Sequence, residues 1–224
     1  MTKSLTPKKV IEILLGVGIA AIVFGAVWLA LEFRFATPTP PGLPQSLGTT
    51  ATVLSEPMNV PSFTLIDHHN RPFTEKNLRG QWTFLFFGYT YCPDICPTAL
   101  AILNQADKLL QKQKAQVHPR FIFVSVDPAR DTAKQLADYL YYFNPAFLGV
   151  TGSEVEIQAL TRPLGIAYWF AEDKDSNPNY IVDHSASILL VDPEGQLRAI
   201  TSPPHYAEAI ASDYQKIIAS VGSK

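Results

Sequence analysis

The sequence predicts an α/β domain with a partly parallel sheet, carried behind an apolar N-terminal segment. Three observations lead there. Short continuous apolar runs stand at residues 82–88 (WTFLFFG), 121–126 (FIFVSV) and 186–191 (ASILLV), each too short for a helix and without the alternation of a half-exposed strand. Longer stretches with helical spacing separate them. The two cysteines of the chain, Cys92 and Cys96, fall at the corner between the first run and the helix that follows it.

Residues 82–88 read as the first buried strand. Residues 97–114 carry Leu100, Leu103, Leu109 and Leu110 on a broken helical face. Residues 121–126 form the second buried strand, after which Asp131 with Thr132 caps a helix running to about Tyr142. A further helix is expected over 154–164. Residues 166–182 contain the polar turn DKDSNPN, consistent with a hairpin or an excursion from the fold. The third buried strand is 186–191, DPEG at 192–195 is a turn, 197–201 is a fourth strand, and 207–219 closes as a helix. Strand, cysteine-bearing turn, helix, strand, helix, strand, turn, strand and helix follow one another in thioredoxin-like order.

The chain has 224 residues, 47% hydrophobic and 17% charged, with 18 Lys and Arg against 20 Asp and Glu. A formal charge of −2 argues against nucleic acid as a partner. The low charge content comes from the N-terminus. Residues 13–31 (ILLGVGIAAIVFGAVWLAL) carry no formal charge and would reach about 28 Å as a helix, close to the ~30 Å hydrocarbon core. This segment is longer than a signal-peptide apolar region, and no clear small-x-small cleavage site follows it, so a retained transmembrane helix is expected. Lys3, Lys8 and Lys9 precede it and only Arg34 follows closely, which places the N-terminus in the cytoplasm and the bulk outside. Residues 35–54 hold Pro38, Pro40, Pro41 and Pro44 and no charge, the composition of an extended linker. The expected organisation is therefore a membrane anchor at 1–34, a Pro-rich linker at 35–54 and one domain at 55–224. That last span has 14 basic and 18 acidic side chains and enough length for a single core.

Two cysteines are too few for a four-thiolate zinc site or a four-cysteine iron–sulfur cluster. In Y-C-P-D-I-C-P-T the pair lies between a buried strand and a helix, at the sheet edge where α/β folds place their sites. The positive end of the helix dipole favours thiolate there and should depress at least one pKa. Four-residue spacing puts both sulfurs on one face, able to chelate one metal or to oxidise to a disulfide, and a purely structural disulfide is the plainer alternative. His184, in Y-I-V-D-H-S-A-S before the third buried strand, reaches the same edge in this winding. On spacing alone it is either a third donor or an ordinary hydrogen-bonded histidine. As a donor it would complete a soft site of two thiolates and one imidazole, suited to Cu(I) and with room for Cu(II) to recruit a fourth donor. Asp183 could orient the imidazole or be solvated, and Asp94 could tune charge or stabilise the helix N-terminus. His68, His69, His118 and His205 read as turn or pre-helix residues. With Met1 and Met58 the sole methionines, a thioether-rich copper site is excluded.

The blocks F-F-G-Y-T-Y-C-P-D-I-C-P-T-A-L, V-S-V-D-P-A-R-D-T, and Y-I-V-D-H-S-A with L-V-D-P-E-G, in that order over roughly residues 58–220, resemble the Sco/SenC family. The resemblance implies a thioredoxin fold and copper, as Cu(I) and Cu(II), held by Cys92, Cys96 and His184. It also implies a membrane-anchored copper chaperone that serves assembly of the CuA centre of cytochrome c oxidase. In a bacterial-type cell this places a single-pass anchor in the inner membrane and the domain on the periplasmic side, with the CuA-bearing subunit or another copper acceptor as partner. Tyr91 departs from the pattern, standing where many members carry histidine. A second reading, of a different class, is a thiol–disulfide oxidoreductase in which Cys92 and Cys96 reduce the partner's CuA-site cysteines. Metal binding and disulfide formation use the same sulfurs. Ordinary thioredoxin relatives use CxxC and place a proline before the facing strand, whereas this chain has CxxxC and D-H-S, which favours metal. A peroxidase built on Cys92 lacks a basic partner in the local motif.

Overall fold

The structure, a computed structural model, describes residues 24–25, 51–171 and 179–221. The expected span at 13–31 lies outside the described residues except for Phe24 and Gly25, and among the described residues no helix is long and apolar enough to cross a membrane.

An eight-stranded mixed sheet is the frame, in the order β1 (Ala51–Asn59), β10 (Gln196–Thr201), β9 (Ile188–Val191), β4 (Thr83–Gly88), β5 (Arg120–Ser125), β6 (Leu148–Thr151), β2 (Thr64–Asp67), β3 (Pro72–Thr74). Its centre is β4 (Thr83–Gly88), every residue of which is buried. Phe84 and Phe86 face one core while Leu85 and Phe87 face the other, so the run is apolar on both faces because both are covered. β5 (Arg120–Ser125) runs parallel to β4, and β6 (Leu148–Thr151) parallel to β5. On the other side β9 (Ile188–Val191) and β10 (Gln196–Thr201) follow antiparallel.

Three helices cover one face. α1 (Ile95–Lys112) buries Cys96, Ala99, Leu100, Leu103, Ala106 and Leu110, a helical stripe, and packs beside α4 (Ala207–Val221). It begins two residues before the expected Pro97. Proline is tolerated there because first-turn N–H groups have no partner within the helix. α2 (Ala133–Phe143) is capped as expected by Thr132, whose hydroxyl accepts from Gln135 N at 3.2 Å. Asp131 does not cap; it is fully buried and turned towards Thr90 and Ser125. The other face takes α3 (Glu154–Thr161), which stops three residues short of the expected end, and the hairpin of β7 (Tyr168–Phe170) with β8 (Val182–His184).

The structure extends the domain at its start. β1 (Ala51–Asn59) pairs antiparallel with β10, so residues 51–54, assigned above to the linker, form strand. The absence of charge before Glu56 and the continuity with the Pro-rich stretch made this segment look like tether; its pairing partner lies about 150 residues away in sequence. β2 (Thr64–Asp67), β3 (Pro72–Thr74) and β6 have three or four residues each, too few to register as a period.

Candidate metal centre

The end of β4 delivers the cysteines. Gly88 closes the strand, and a Cβ on it would overlap Cys96 Sγ and crowd the Phe123 ring. Only glycine leaves room for the sulfur to sit under the sheet edge. Cys96, in the first turn of α1, is fully buried; Cys92, in the preceding loop, is half-buried. Cys92 Sγ accepts the backbone N–H of Cys96 at 3.4 Å, so this sulfur caps the helix that carries the other. Asp94, at the N-cap, makes no side-chain cap, and its carbonyl accepts Thr98 N–H at 3.2 Å.

The imidazole arrives on β8. His184 Nε2 stands 3.3 Å from Cys96 Sγ, and Nδ1 stands 3.1 Å from the carbonyl oxygen of Ser185. A carbonyl only accepts, so Nδ1 carries the proton and Nε2 turns its lone pair to the sulfurs. Ser185 is itself held, its N–H donating to Ala167 O at 2.8 Å and its hydroxyl accepting from Ala167 N at 3.0 Å. The group that orients the ring is thus this carbonyl rather than Asp183, which lies exposed on β8. Tyr89 meets the imidazole edge-on at 5.9 Å between centroids, and Phe86 does so at 6.3 Å.

One donor atom from each of Cys92, Cys96 and His184 lies within 4.8 Å of the others, the one such trio of His, Cys, Asp or Glu among the described residues. The sulfurs are electrostatically unequal. The Cys92 thiol is pushed far down, chiefly by the hydrogen bond from Cys96, with help from the backbone N–H groups at the helix start. Burial pushes the Cys96 thiol up, and the negative charge on Cys92 adds to it. The expected lowering falls on Cys92 alone, with the helix-start N–H groups a lesser contributor, because Cys96 is cut off from water. The pair is thus a half-exposed thiolate in front of a buried thiol that donates its S–H to it. A groove of 310 Å³ lined by Tyr89, Pro93, Ile95, Trp169 and Ile181 opens onto Cys92 and His184.

The V-S-V-D-P-A-R-D segment that ends β5 and follows it, given no role above beyond the Asp131 cap, reaches both halves of the centre. Asp131 accepts from Thr90 N–H at 3.0 Å, Thr90 hydroxyl at 2.6 Å and Ser125 hydroxyl at 2.6 Å, which ties down the loop entering Cys92. Asp127 and Arg130 engage Tyr180, on the approach to β8. Asp127 and Arg130 were missed as site residues because their partner Tyr180 is some 50 residues away, and Gly88 and Ser185 because they act through an absent Cβ and a backbone carbonyl, which side-chain type does not signal. The other histidines stay apart. His68 Nδ1 accepts Gly149 N–H, which leaves the proton on Nε2 facing His69 Nε2 at 2.9 Å, a donor–acceptor pair. His118 pairs with buried Asp107, and His205 Nε2 donates to Ala186 O at 2.7 Å.

A thioredoxin-like sheet that presents two thiols at one corner and an imidazole from the facing strand is a protein built to hold a soft metal ion or to exchange disulfides. The SCO1/SenC family model matches residues 53–219, and the chain belongs to that family. The SCO2-like protein of Rickettsia felis is 35% identical over 188 residues, covering 84% of each chain. The mitochondrial protein SCO2 homolog of Bos taurus is 38% identical over 161 residues, 72% of this chain; the match spans 60% of the bovine protein. Among solved structures, Arabidopsis thaliana ScoI with copper bound is 37% identical, with a TM-score of 0.66 over 72% of this chain and 99% of that one.

Proposed function

We propose that this chain is a membrane-anchored copper chaperone in which Cys92, Cys96 and His184 hold copper as cargo and pass it to the CuA site of cytochrome c oxidase during assembly. The observation that carries the reading is the convergence of two sulfurs and one imidazole nitrogen within 4.8 Å at the mouth of a groove. Two thiolates and one imidazole suit Cu(I), and Cu(II) could add a fourth donor; a structural zinc site would require four protein ligands. The copper-bound Arabidopsis structure supports the choice of metal. Cys92, already a thiolate and reachable from solvent, meets the incoming ion, and Cys96 joins as its proton leaves. Exposure of Cys92 lets a partner's thiolates take the ion by ligand exchange. The apolar segment at 13–31 would anchor the N-terminus in a bacterial-type inner membrane, with the linker and the domain on the periplasmic side.

A second reading rests on the inequality of the sulfurs. A half-exposed thiolate with a buried thiol behind it has the geometry of an attacking and a resolving cysteine. Cys92 would attack a partner disulfide and release one partner thiolate. Cys96 would then displace the second, leaving this chain oxidised and the partner's cysteines reduced. Two mixtures separate the readings: the copper-loaded chain with a reduced apo acceptor, and the metal-free dithiol chain with an oxidised acceptor. A CuA spectrum in the first mixture is the expected result. Acceptor thiols appearing in the second, with no metal transfer in the first, would make the chain a reductase.

A further inference from the structure

We propose that Arg130 and Asp127 are positioning residues for copper binding, a clamp on Tyr180 that sets where His184 stands. The inference rests on the copper reading of Cys92, Cys96 and His184. The clamp grips Tyr180 by three separate features. Asp127, fully buried, accepts the Tyr180 hydroxyl at 2.5 Å. It also accepts Arg130 Nε at 2.5 Å. Arg130 Nη1 donates to the Tyr180 backbone carbonyl at 2.8 Å, and its guanidinium carbon lies 3.6 Å from the centre of the Tyr180 ring. Hydroxyl, ring and carbonyl of one residue are thus held by two side chains one turn apart, after the strand that neighbours β4.

Tyr180 stands four residues before His184. Between them Val182 is buried and its N–H donates to Tyr89 Oη at 3.3 Å. Tyr89 lies in the cysteine loop, and its ring is 5.4 Å from the Arg130 guanidinium carbon and 5.9 Å from the imidazole. On the far side Ser185 is tied to Ala167. β8 is consequently pinned on both flanks of the ligand, and Arg130 is the one cation that touches the His184 approach and stacks near two tyrosines of the cysteine loop, Tyr89 and Tyr91, among the described contacts. A clamp made of a buried ion pair loses its geometry when either partner goes, and remote support of this kind typically changes metal affinity about 10–100-fold.

The test is a double-mutant cycle on the full chain, with copper as the probe. Arg130→Gln is made alone and on His184→Ala, and Cu(II) affinity is read by chelator competition, nitrogen hyperfine coupling by electron paramagnetic resonance, and thiolate-to-copper charge transfer by absorption. Arg130→Gln is expected to weaken binding at least about tenfold and to reduce the nitrogen coupling while the sulfur band persists. On His184→Ala it should change affinity less than about twofold, since its effect passes through the imidazole. Tyr180→Phe, which removes one hydroxyl, should show the same pattern at smaller size and covers the case in which Arg130→Gln does not fold. Equal weakening on both backgrounds, or unchanged nitrogen coupling in both single variants, would overturn the clamp. A parent chain lacking both sulfur and nitrogen signatures would overturn the copper reading instead, a different and separable result.

Discussion

At the scale of single residues, the centre depends on what each side chain leaves to its neighbour. Gly88 has no Cβ, and Cys96 Sγ fills the space. Gly88→Ala is expected to push that sulfur out of the trio, so that copper binds more weakly while the far-ultraviolet circular dichroism stays that of the parent; unchanged affinity would show the strand end can yield. Ser185 lends its carbonyl to Nδ1, and His184 thereby offers Nε2. His184→Ala should weaken Cu(II) binding severely without loss of fold. Cys92→Ser and Cys96→Ser should each abolish tight binding, because one thiolate and one imidazole make too few donors. Equilibrium dialysis settles both, and stoichiometric retention by either serine variant would contradict the ligand set. Cys92 and Cys96 were legible in the sequence from their strand-to-helix corner, whereas for His184 position alone left two readings open and the family resemblance chose the donor. Gly88 was not, since a glycine ending a strand looks the same whether or not a sulfur needs its space.

At the scale of elements, the strands and helices matter for which ends they bring together. β4 and β5 run parallel, so the loop bearing Thr90 and the segment bearing Asp127 and Asp131 emerge at one edge. Asp131 is fully buried and satisfies three donors there. Asp131→Ala should lower unfolding stability by about 3 kcal/mol, since those donors lose their acceptor away from water; urea titration checks it, and a loss under about 1 kcal/mol would mean water replaces the carboxylate. α4 begins beside His205, whose burial holds its pKa below the ordinary 6.5. Below that pH the unfolded chain takes up a proton that the folded chain refuses, so stability falls as pH drops through this window and is unaffected above it. His205→Gln should flatten that decline between about pH 7 and about pH 5, measured as the urea midpoint; an identical slope would remove His205 from the acid response. Long buried runs such as 82–88 and the helix capped by Thr132 were readable locally. β1, β2 and β3 were not, because strands of mixed exposure at or next to a sheet edge are defined by partners that the local pattern does not name.

For the molecule as a whole, the same sheet edge gathers three parts of the chain that are dispersed in sequence: the corner at 88–96, the bracket at 125–131 and the returning strand at 180–185. Thioredoxin-like order was legible because it depends on alternation of strands and helices, which local pattern carries. The bracket was visible as a motif and silent as to purpose, since its work lies in hydrogen bonds to Thr90 and Tyr180, 41 and 53 residues away from Asp131 and Asp127. The hydrogen bond from Cys96 to Cys92, with the burial of Cys96, explains why two cysteines four residues apart differ so widely in acidity. The measurement that bears most directly on the centre is copper K-edge X-ray absorption on the chain loaded with one equivalent of Cu(I). Two sulfur scatterers and one imidazole nitrogen around a single copper are predicted, with the nitrogen shell lost in His184→Ala. A shell of sulfur alone in the parent, unchanged by that substitution, would contradict the account.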